Sequence, residues 1–326
     1  MRLLVTGGTG KVGQALIGRL LSDEKWDGVD IRALCHNRSI EESERVSIVR
    51  GSIAERAVVQ EALAGVTHVI HLATCKETPE TVMDVTVKGL FWLLEGARES
   101  ESFRQFILIG GDAAVGHFHH RRPVPLTEDV PHMAYPGCYA LSKVLEEVLL
   151  QQSFVQYDLE GCCLRAPWIM EKDDFKYTLS FGEDVFGAPV WHEIVSPAEA
   201  ARYHQQGTVP CLHDAEGAPL KRNFVHVNDL VEAILAALDN PNAHQQLFNV
   251  CMTRPVDYRE VADYLAETRG LPSVRIDSGY HSNWLDNAKA RALLDWEPQY
   301  DMQRLVEEAW SYQRPPDDPR RVWYPG

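Results

Sequence analysis

No stretch of the 326-residue chain approaches the roughly 18 consecutive apolar residues that a membrane span requires. A membrane-crossing helix is therefore not expected. No charged-then-apolar leader with a small-residue cleavage site precedes the first apolar run, so a secretory signal is not expected either. Cysteine is sparse: there are 7, an odd number, and no C-x-x-C pair. Buried free thiols in a reducing cytoplasm are the expectation, rather than a disulfide framework. Positive charge is also short. Lys and Arg total 32 against 47 Asp and Glu, a net −15 at pH 7, which argues against a nucleic-acid partner. The short Arg121-Arg122 pair does not reverse that. His117, His119 and His120 lie close together, but no Cys or carboxylate at ligand spacing accompanies them. They are expected in a solvated loop, with no metal site.

What remains is the composition of an ordinary globular protein, 45% hydrophobic and 24% charged. Its length allows one large or two smaller domains. The most informative segment comes first. Leu3-Leu4-Val5 is a short apolar run, followed by Thr6-Gly7-Gly8-Thr9-Gly10-Lys11-Val12-Gly13 and then by apolar residues at helical spacing, Val12, Ala15, Leu16 and Leu20. That is a strand, a tight turn and a helix. Gly7 suits the tight turn, Gly10 lets the main chain approach a pyrophosphate, and Gly13 lets helix and strand pack closely. The helix N-terminus then offers its N–H groups to phosphate charge. Glycine also serves strand-to-helix turns for backbone reasons alone, so the pattern needs company.

The first half alternates strand and helix patterns. Strands are expected at 3–6, 31–35, 46–49, 68–72, 106–109 and 161–164, with helices near 11–22, 55–64, 80–100 and 137–153. Such alternation implies a parallel sheet covered on both faces. After about residue 166 the rhythm breaks, and 170–222 is rich in Gly and Pro. A strand-like run, 223–227, precedes a helical stretch at 230–238. A further strand at 247–250 leads to a helix near 257–269. The fold class expected is α/β: a Rossmann-type doubly wound parallel sheet with a smaller C-terminal α/β substrate-binding domain. Residues 1–166, with returning segments near 223–250, would form the dinucleotide-binding domain. Residues 167–222 and 251–313 would form the substrate lobe, and 314–326 an extended tail with four prolines.

Tyr139-Ala140-Leu141-Ser142-Lys143 puts a phenol and an ammonium four residues apart, on one face of a predicted helix. A phenol ordinarily titrates near ~10. A neighbouring cation favours phenolate and brings proton exchange with a hydroxyl or carbonyl toward neutral pH. A surface Tyr–Lys pair is the bland alternative. Beside the glycine turn, the functional reading is the stronger of the two.

With both motifs in place, the chain resembles the extended short-chain dehydrogenases/reductases, the NAD(P)-dependent epimerase/dehydratase group. The resemblance runs through 6–13, His71-Leu72-Ala73, Thr127-Glu128-Asp129, 139–143 and Leu164-Arg165-Ala166-Pro167. It continues through Arg222 to Asp229, Phe248-Asn249-Val250, 285–290 and 294–298. It implies an enzyme that couples Tyr–Lys proton transfer to hydride transfer on a sugar, nucleotide sugar or related polyhydroxyl or carbonyl compound. It also implies a helix-mediated homodimer. Tyr139 would be the acid/base and Lys143 its partner. Gly7, Gly10, Lys11, Val12, Gly13, His36, Arg38, Ser52, Ile53, Leu72, Ala73, Lys143 and Ala166 would hold the cofactor. Thr74, Asp112, Tyr139 and Arg222 would face the substrate. Arg222 matches an arginine that often holds a nucleotide-sugar phosphate; a structural arginine before a buried strand fits as well.

Three positions depart from the family pattern. Asp112 stands where a catalytic Ser or Thr is usual, Thr86 replaces an asparagine, and Ser52 replaces an aspartate. A carboxylate ~5 Å from the phenol would cost a phenolate ~3 kcal/mol at an effective dielectric of ~20. Asp112 has three candidate roles. Protonated by burial, it would donate as serine does; ionised, it would bind substrate hydroxyls as a second base; turned away, it would cap backbone N–H groups. The strand ending Ala33-Leu34-Cys35-His36-Asn37-Arg38 carries no carboxylate for a ribose 2′-hydroxyl. Between NAD and NADP the lean is therefore toward NADP. The segment 168–197 mixes aromatic and acidic residues, as a pocket wall for a sugar or an ordinary surface insertion would. The second functional reading is a dinucleotide-binding sensor or scaffold of the same fold with weakened turnover.

Overall fold

The computed structural model describes residues 1–182, 186–187, 189–316, 318 and 320. The expected tail at 314–326 lies largely outside the described residues. The chain opens with β1 (Arg2–Thr6), α1 (Lys11–Ser22), β2 (Asp30–Cys35), β3 (Val46–Arg50), α2 (Arg56–Leu63) and β4 (His68–His71). Next comes α3 (Pro79–Val82), continued by a π-helical turn (Met83–Lys88) into α4 (Gly89–Arg98). β5 (Gln105–Gly111), a 3-10 turn (Asp112–Val115), α5 (Cys138–Tyr157) and β6 (Gly161–Ala166) complete the first half.

The second half holds β7 (Trp168–Met170), α6 (Asp174–Thr178), α7 (Pro197–Gln205), β8 (Val209–His213), β9 (Lys221–Arg222), β10 (Phe224–His226) and α8 (Val227–Ala237). β11 (Gln246–Asn249), β12 (Val256–Asp257), α9 (Tyr258–Arg269), β13 (Ser273–Asp277), α10 (Ala288–Leu294) and α11 (Met302–Ser311) follow.

The main sheet has seven strands in the order β11-β6-β5-β4-β1-β2-β3, and every pair in it is parallel. Its strands are apolar on both faces because helices cover both. Leu3, Val5 and Ile107 pack with α1 and α8 residues such as Leu16, Leu20 and Ile234. Leu4, Phe106 and Leu108 turn the other way, toward Leu63, Leu90, Leu94 and Leu150. The alternation is the two-residue period of a strand. Each fully buried leucine contributes about 2 kcal/mol of transfer free energy. A separate cluster built around Phe175, Leu212, Phe224, Val256, Tyr258 and Leu265 lies among elements after β6.

Of the returning segments near 223–250, only β11 joins the main sheet; β10 pairs with β7 in a two-stranded ladder, parallel and in register Val225–Ile169. The region 170–222, rich in Gly and Pro, carries α6, α7 and β8. Short elements with few periodic residues leave little sequence trace. α7 nonetheless has a full capping box, with the Ser196 hydroxyl accepting from Glu199 N–H and Glu199 reaching back to Ser196.

The strand order reverses about β1, which has β2 on one side and β4 on the other. In open α/β sheets the ligand crevice lies at the carboxyl ends of the strands beside such a switch point. There the chain places the glycine turn, the residues after β4 and the end of β5.

Candidate active site

The glycine turn is built by close backbone approach. Gly7 has φ +69°, and a Cβ there would stand 2.8 Å from Ala73 N and Leu72 C. A Cβ on Gly13 would lie 2.5 Å from Gly8 Cα. The N-cap of α1 is Gly10, and no side chain caps that end. The first N–H groups of the helix are thus left for an outside acceptor, as an anionic pyrophosphate would be. This cradle fits a dinucleotide. The Thr6 hydroxyl joins the switch point: it accepts from the N–H groups of Leu72 and Ala73, both at 3.2 Å, and lies 2.7 Å from His71 Nδ1. With its lone pairs so used, the Thr6 hydroxyl proton goes to Nδ1, leaving the His71 proton on Nε2.

Lys11 departs from the cradle. Its side chain is buried, donates to Ile169 O at 2.8 Å, pairs with Asp174 and lies 4.1 Å over the Phe186 ring. Burial lowers its pKa against the pull of Asp174. The ammonium thus fastens α1 to the β7–α6 segment, and only its backbone faces the turn. Val12 is half-buried and Ala166 fully so at the end of β6. His36 and Arg38 are exposed just beyond β2. Ser52 accepts from Ala54 N–H at 3.2 Å, and Ile53 packs where Gly89 has no side chain. Thr74 is half-buried, with its hydroxyl 3.4 Å from Cys75 O. Thr86, in the π-helical turn, is fully buried and accepts from Cys75 N–H at 2.9 Å.

Tyr139 and Lys143 lie on one face of α5, beneath the end of β5. Gly111 makes room for both: a Cβ there would be 3.6 Å from the Tyr139 hydroxyl and 3.6 Å from Lys143 Cδ. The Glu77 carboxylate accepts from Cys138 N–H at 2.9 Å and Tyr139 N–H at 3.3 Å, so it caps the helix start just where Tyr139 sits. Lys76 Nζ lies 4.0 Å over the Tyr139 ring and 5.8 Å over Trp168. Lys143 Nζ is 5.7 Å from the Tyr139 ring centroid, donates to Ile109 O at 3.4 Å, and is 2.7 Å from Glu146 Oε2.

Asp112 begins the 3-10 turn after β5 and has a partner that none of its three expected roles includes. Its Oδ2 lies 2.5 Å from His117 Nδ1. His117 Nε2 accepts from Trp168 Nε1 at 2.8 Å and from Arg222 Nη2 at 3.0 Å. Two donors at Nε2 place the ring proton on Nδ1, facing the carboxylate. Burial lowers the His117 pKa even with Asp112 raising it, so the ring is neutral at neutral pH. The expected solvated histidine loop is corrected here: His117 is buried, while His119 is exposed. His117 also has φ 47°, a left-handed backbone that a side chain rarely adopts.

Arg222 is buried between Phe118 and Phe224, donates to Gly187 O at 2.9 Å and to His117, and its Nε has no partner among the described residues. Arg165, next to the site on β6, makes a bidentate pair with Glu147 at 2.7 and 2.9 Å. Glu147 stays below the usual carboxylate range despite burial, because His132 and Arg165 both bind it. Sequence reasoning missed Lys76, Glu77, His117 and Glu146. Glu146 alone left a signal, standing three residues from Lys143 on the helix face.

Residues 3–251 match the model of the NAD dependent epimerase/dehydratase family, and the chain belongs to that family. It is an NAD(P)-dependent enzyme of the short-chain dehydrogenase/reductase type. It is 28% identical to the UDP-glucose 4-epimerase of Mycolicibacterium smegmatis over 319 residues, 92% of this chain and 94% of that one. With the UDP-glucose 4-epimerase of Erwinia amylovora it shares 24% over 338 residues, covering 96% and 98%. Among solved structures, a short-chain dehydrogenase/reductase superfamily protein from Agrobacterium tumefaciens with bound NAD superposes with a TM-score of 0.76. The two are 24% identical, with 95% of this chain and 96% of that one covered. The UDP-glucose 4-epimerase of Thermotoga maritima gives 0.72 at 20% identity, covering 95% and 98%.

Proposed function

We propose that the chain interconverts or dehydrates nucleotide sugars through proton transfer at Tyr139 coupled to hydride transfer. The observation that carries this is the Tyr139 hydroxyl against Gly111, at the carboxyl end of β5 beside the switch point, with Lys143 and Lys76 adding positive charge next to its ring. Support also comes from the relatives, whose names are UDP-glucose 4-epimerases over nearly their whole length.

In this reading a cofactor lobe carries the main sheet, and elements after β6 close over the substrate. The α1 N-terminus and the Gly7, Gly10 and Gly13 backbone hold the pyrophosphate, with Leu72 and Ala73 lining the same crevice. A bound nicotinamide supplies reversible hydride transfer. Tyr139 takes the proton of a sugar hydroxyl and returns it, and Lys143 favours its phenolate. Asp112, oriented by His117, accepts a hydrogen bond from a substrate hydroxyl. Arg222 holds that orientation by donating to His117.

His36 and Arg38 follow β2 with no carboxylate among Cys35–Ile40, which favours NADP over NAD. Exposed Phe91 on α4 and Leu141 on α5 favour a homodimer through those helices. Free thiols throughout accord with a cytoplasmic location.

The test is a panel of nucleotide sugars followed by NMR, with both cofactors titrated by fluorescence. Tyr139→Phe is expected to lower kcat at least ~100-fold while cofactor affinity changes little, and NADP is expected to bind more tightly. Full activity in Tyr139→Phe would sink the reading. The sensor reading rests on Asp112, Thr86 and Ser52, which stand where the family pattern has other residues. Tight cofactor binding without turnover of any sugar in the panel would support it.

A further inference from the structure

Tyr139, Lys143 and Glu146 lie at i, i+4 and i+7 on α5, so the three side chains share one helix face. Glu146 is fully buried, and its Oε2 is 2.7 Å from Lys143 Nζ. Its Oε1 is 4.0 Å from His71 Nε2 and accepts no hydrogen bond among the described residues. Both partners belong to one helix, so the pair ties no two elements together, and the carboxylate is compensated by little beyond the Lys143 charge. The ammonium it holds is the one beside the Tyr139 ring.

We propose that Glu146 is a positioning residue that sets the charge of the Tyr139–Lys143 pair. Ionised, it holds the ammonium toward β5 and cancels part of its field at the phenol; on taking a proton from solvent, it releases that field to favour the phenolate.

The surroundings let Glu146 change state where the enzyme works. Burial pushes its carboxyl up to about 7, against the pull of Lys143. Burial disfavours the Lys143 charge, but Glu146 and Tyr139 outweigh it and raise its pKa, so the ammonium persists. The other titratable groups facing the pair are Glu147 on α5, His71 on β4, Lys76 after β4 and Cys163 on β6. Burial and Lys143 hold His71 down at about 3, and burial keeps the Cys163 thiol protonated. Glu147 stays ionised through His132 and Arg165. Glu146 is thus the one of these buried groups placed to change charge near neutral pH.

The proposal rests on Tyr139 and Lys143 being the proton-transfer pair, and its test needs no substrate. Tyrosine bearing an isotope label at the ring Cζ reports each phenol's ionisation by NMR, with Tyr139→Phe assigning the resonance. Two helical turns separate Glu146 from Tyr139, ~10 Å. At an effective dielectric of ~20, loss of that charge lowers the Tyr139 midpoint by about one pH unit. Glu146→Gln is expected to show this fall, and Glu146→Val the same. The wild-type Tyr139 shift is expected to carry an extra inflection near the Glu146 titration, absent from both variants. An unmoved midpoint in both folded variants overturns the proposal. Lys143→Met separates the two failures. If it raises the Tyr139 midpoint while the Glu146 variants do nothing, only the Glu146 role fails; if it too does nothing, the proton-transfer pair itself fails.

Discussion

Gly13, in the glycine turn, has no room for a single methyl group, whereas Gly18 in the same helix has open space at its Cβ position. A Cβ at Gly13 would meet Gly8 Cα at 2.5 Å and Gly8 C at 2.8 Å, and would press on Gly7 O. Ordinary carbon contacts lie near ~3.5–4.0 Å, so the turn must open by about 1 Å. The obstacle is backbone and cannot rotate away. Gly13→Ala is therefore expected to cost about 1–3 kcal/mol, the range of overpacked sites. It is also expected to raise the cofactor Kd at least ~10-fold, since the same turn aims the N–H groups of α1. Gly18 lies in the same helix with nothing within 4 Å of its Cβ position. There Gly→Ala is expected to stabilise by about 0.5–1 kcal/mol, because alanine restricts the unfolded chain and propagates helix. One substitution in one helix thus has opposite signs seven ångströms or so along the axis. Denaturant unfolding of the cofactor-free variants measures the first effect, and fluorescence titration with reduced cofactor the second. Equal stabilities, or Gly13→Ala binding cofactor as tightly as Gly18→Ala, would refute the reasoning.

Two further outcomes follow from buried charge. His71 is held at about 3 by burial and by Lys143, below the ordinary ~6.5 of the unfolded chain. The unfolded state then binds more protons between those values, so the stability is full above ~6.5 and lost as pH falls, by about 2 kcal/mol at pH ~5. In His71→Asn the drop in denaturant midpoint between neutral pH and that acid point should shrink accordingly, and an unchanged drop would count against it. Lys11→Met removes one of the two cations on the buried Asp174, which keeps Arg320, and should cost about 2 kcal/mol. Adding Asp174→Leu should recover part of that, whereas a double variant as unstable as the single would show that the pair does not couple α1 to the β7–α6 segment.

The alternating first half was legible because each strand buried on both faces is a continuous apolar run and each covering helix has a 3.6-residue period. The ends of β1, β2, β4 and β6 fall within about two residues of those runs. After β6, β10, α8, β11 and α9 were legible in the same way, whereas β7, β9 and β12, with only two or three residues each, were not. No periodicity can be read from such lengths. In the site, Tyr139 and Lys143 were visible since their geometry is local, set by one helix. Lys76, Glu77 and His117 were invisible since they come from loops whose approach to α5 is decided by tertiary packing. Lys11 shows the limit of motif reading: its place in the turn was clear, but the direction of its side chain depends on Asp174, far along the chain.

Asp112 and His117, read singly, each look like damage to the site: a carboxylate where a hydroxyl is usual, and a side chain at φ 47°. Together they account for one another. A carboxylate within about 5 Å of a phenol would oppose its phenolate by an amount comparable to the help of one lysine. The Nδ1–H of His117 engages that carboxylate and draws part of its charge into a hydrogen bond, and Arg222 places a full positive charge at the far side of the same ring. Lys76 adds a second cation over the phenol itself. A site drifting out of use has no reason to assemble three such contacts, His117 on Asp112, Arg222 on His117 and Lys76 over Tyr139, each from a different segment of the chain. In the proposed reading, the charge around a site whose usual hydroxyl is a carboxylate has been rebuilt so that Tyr139 gives up its proton.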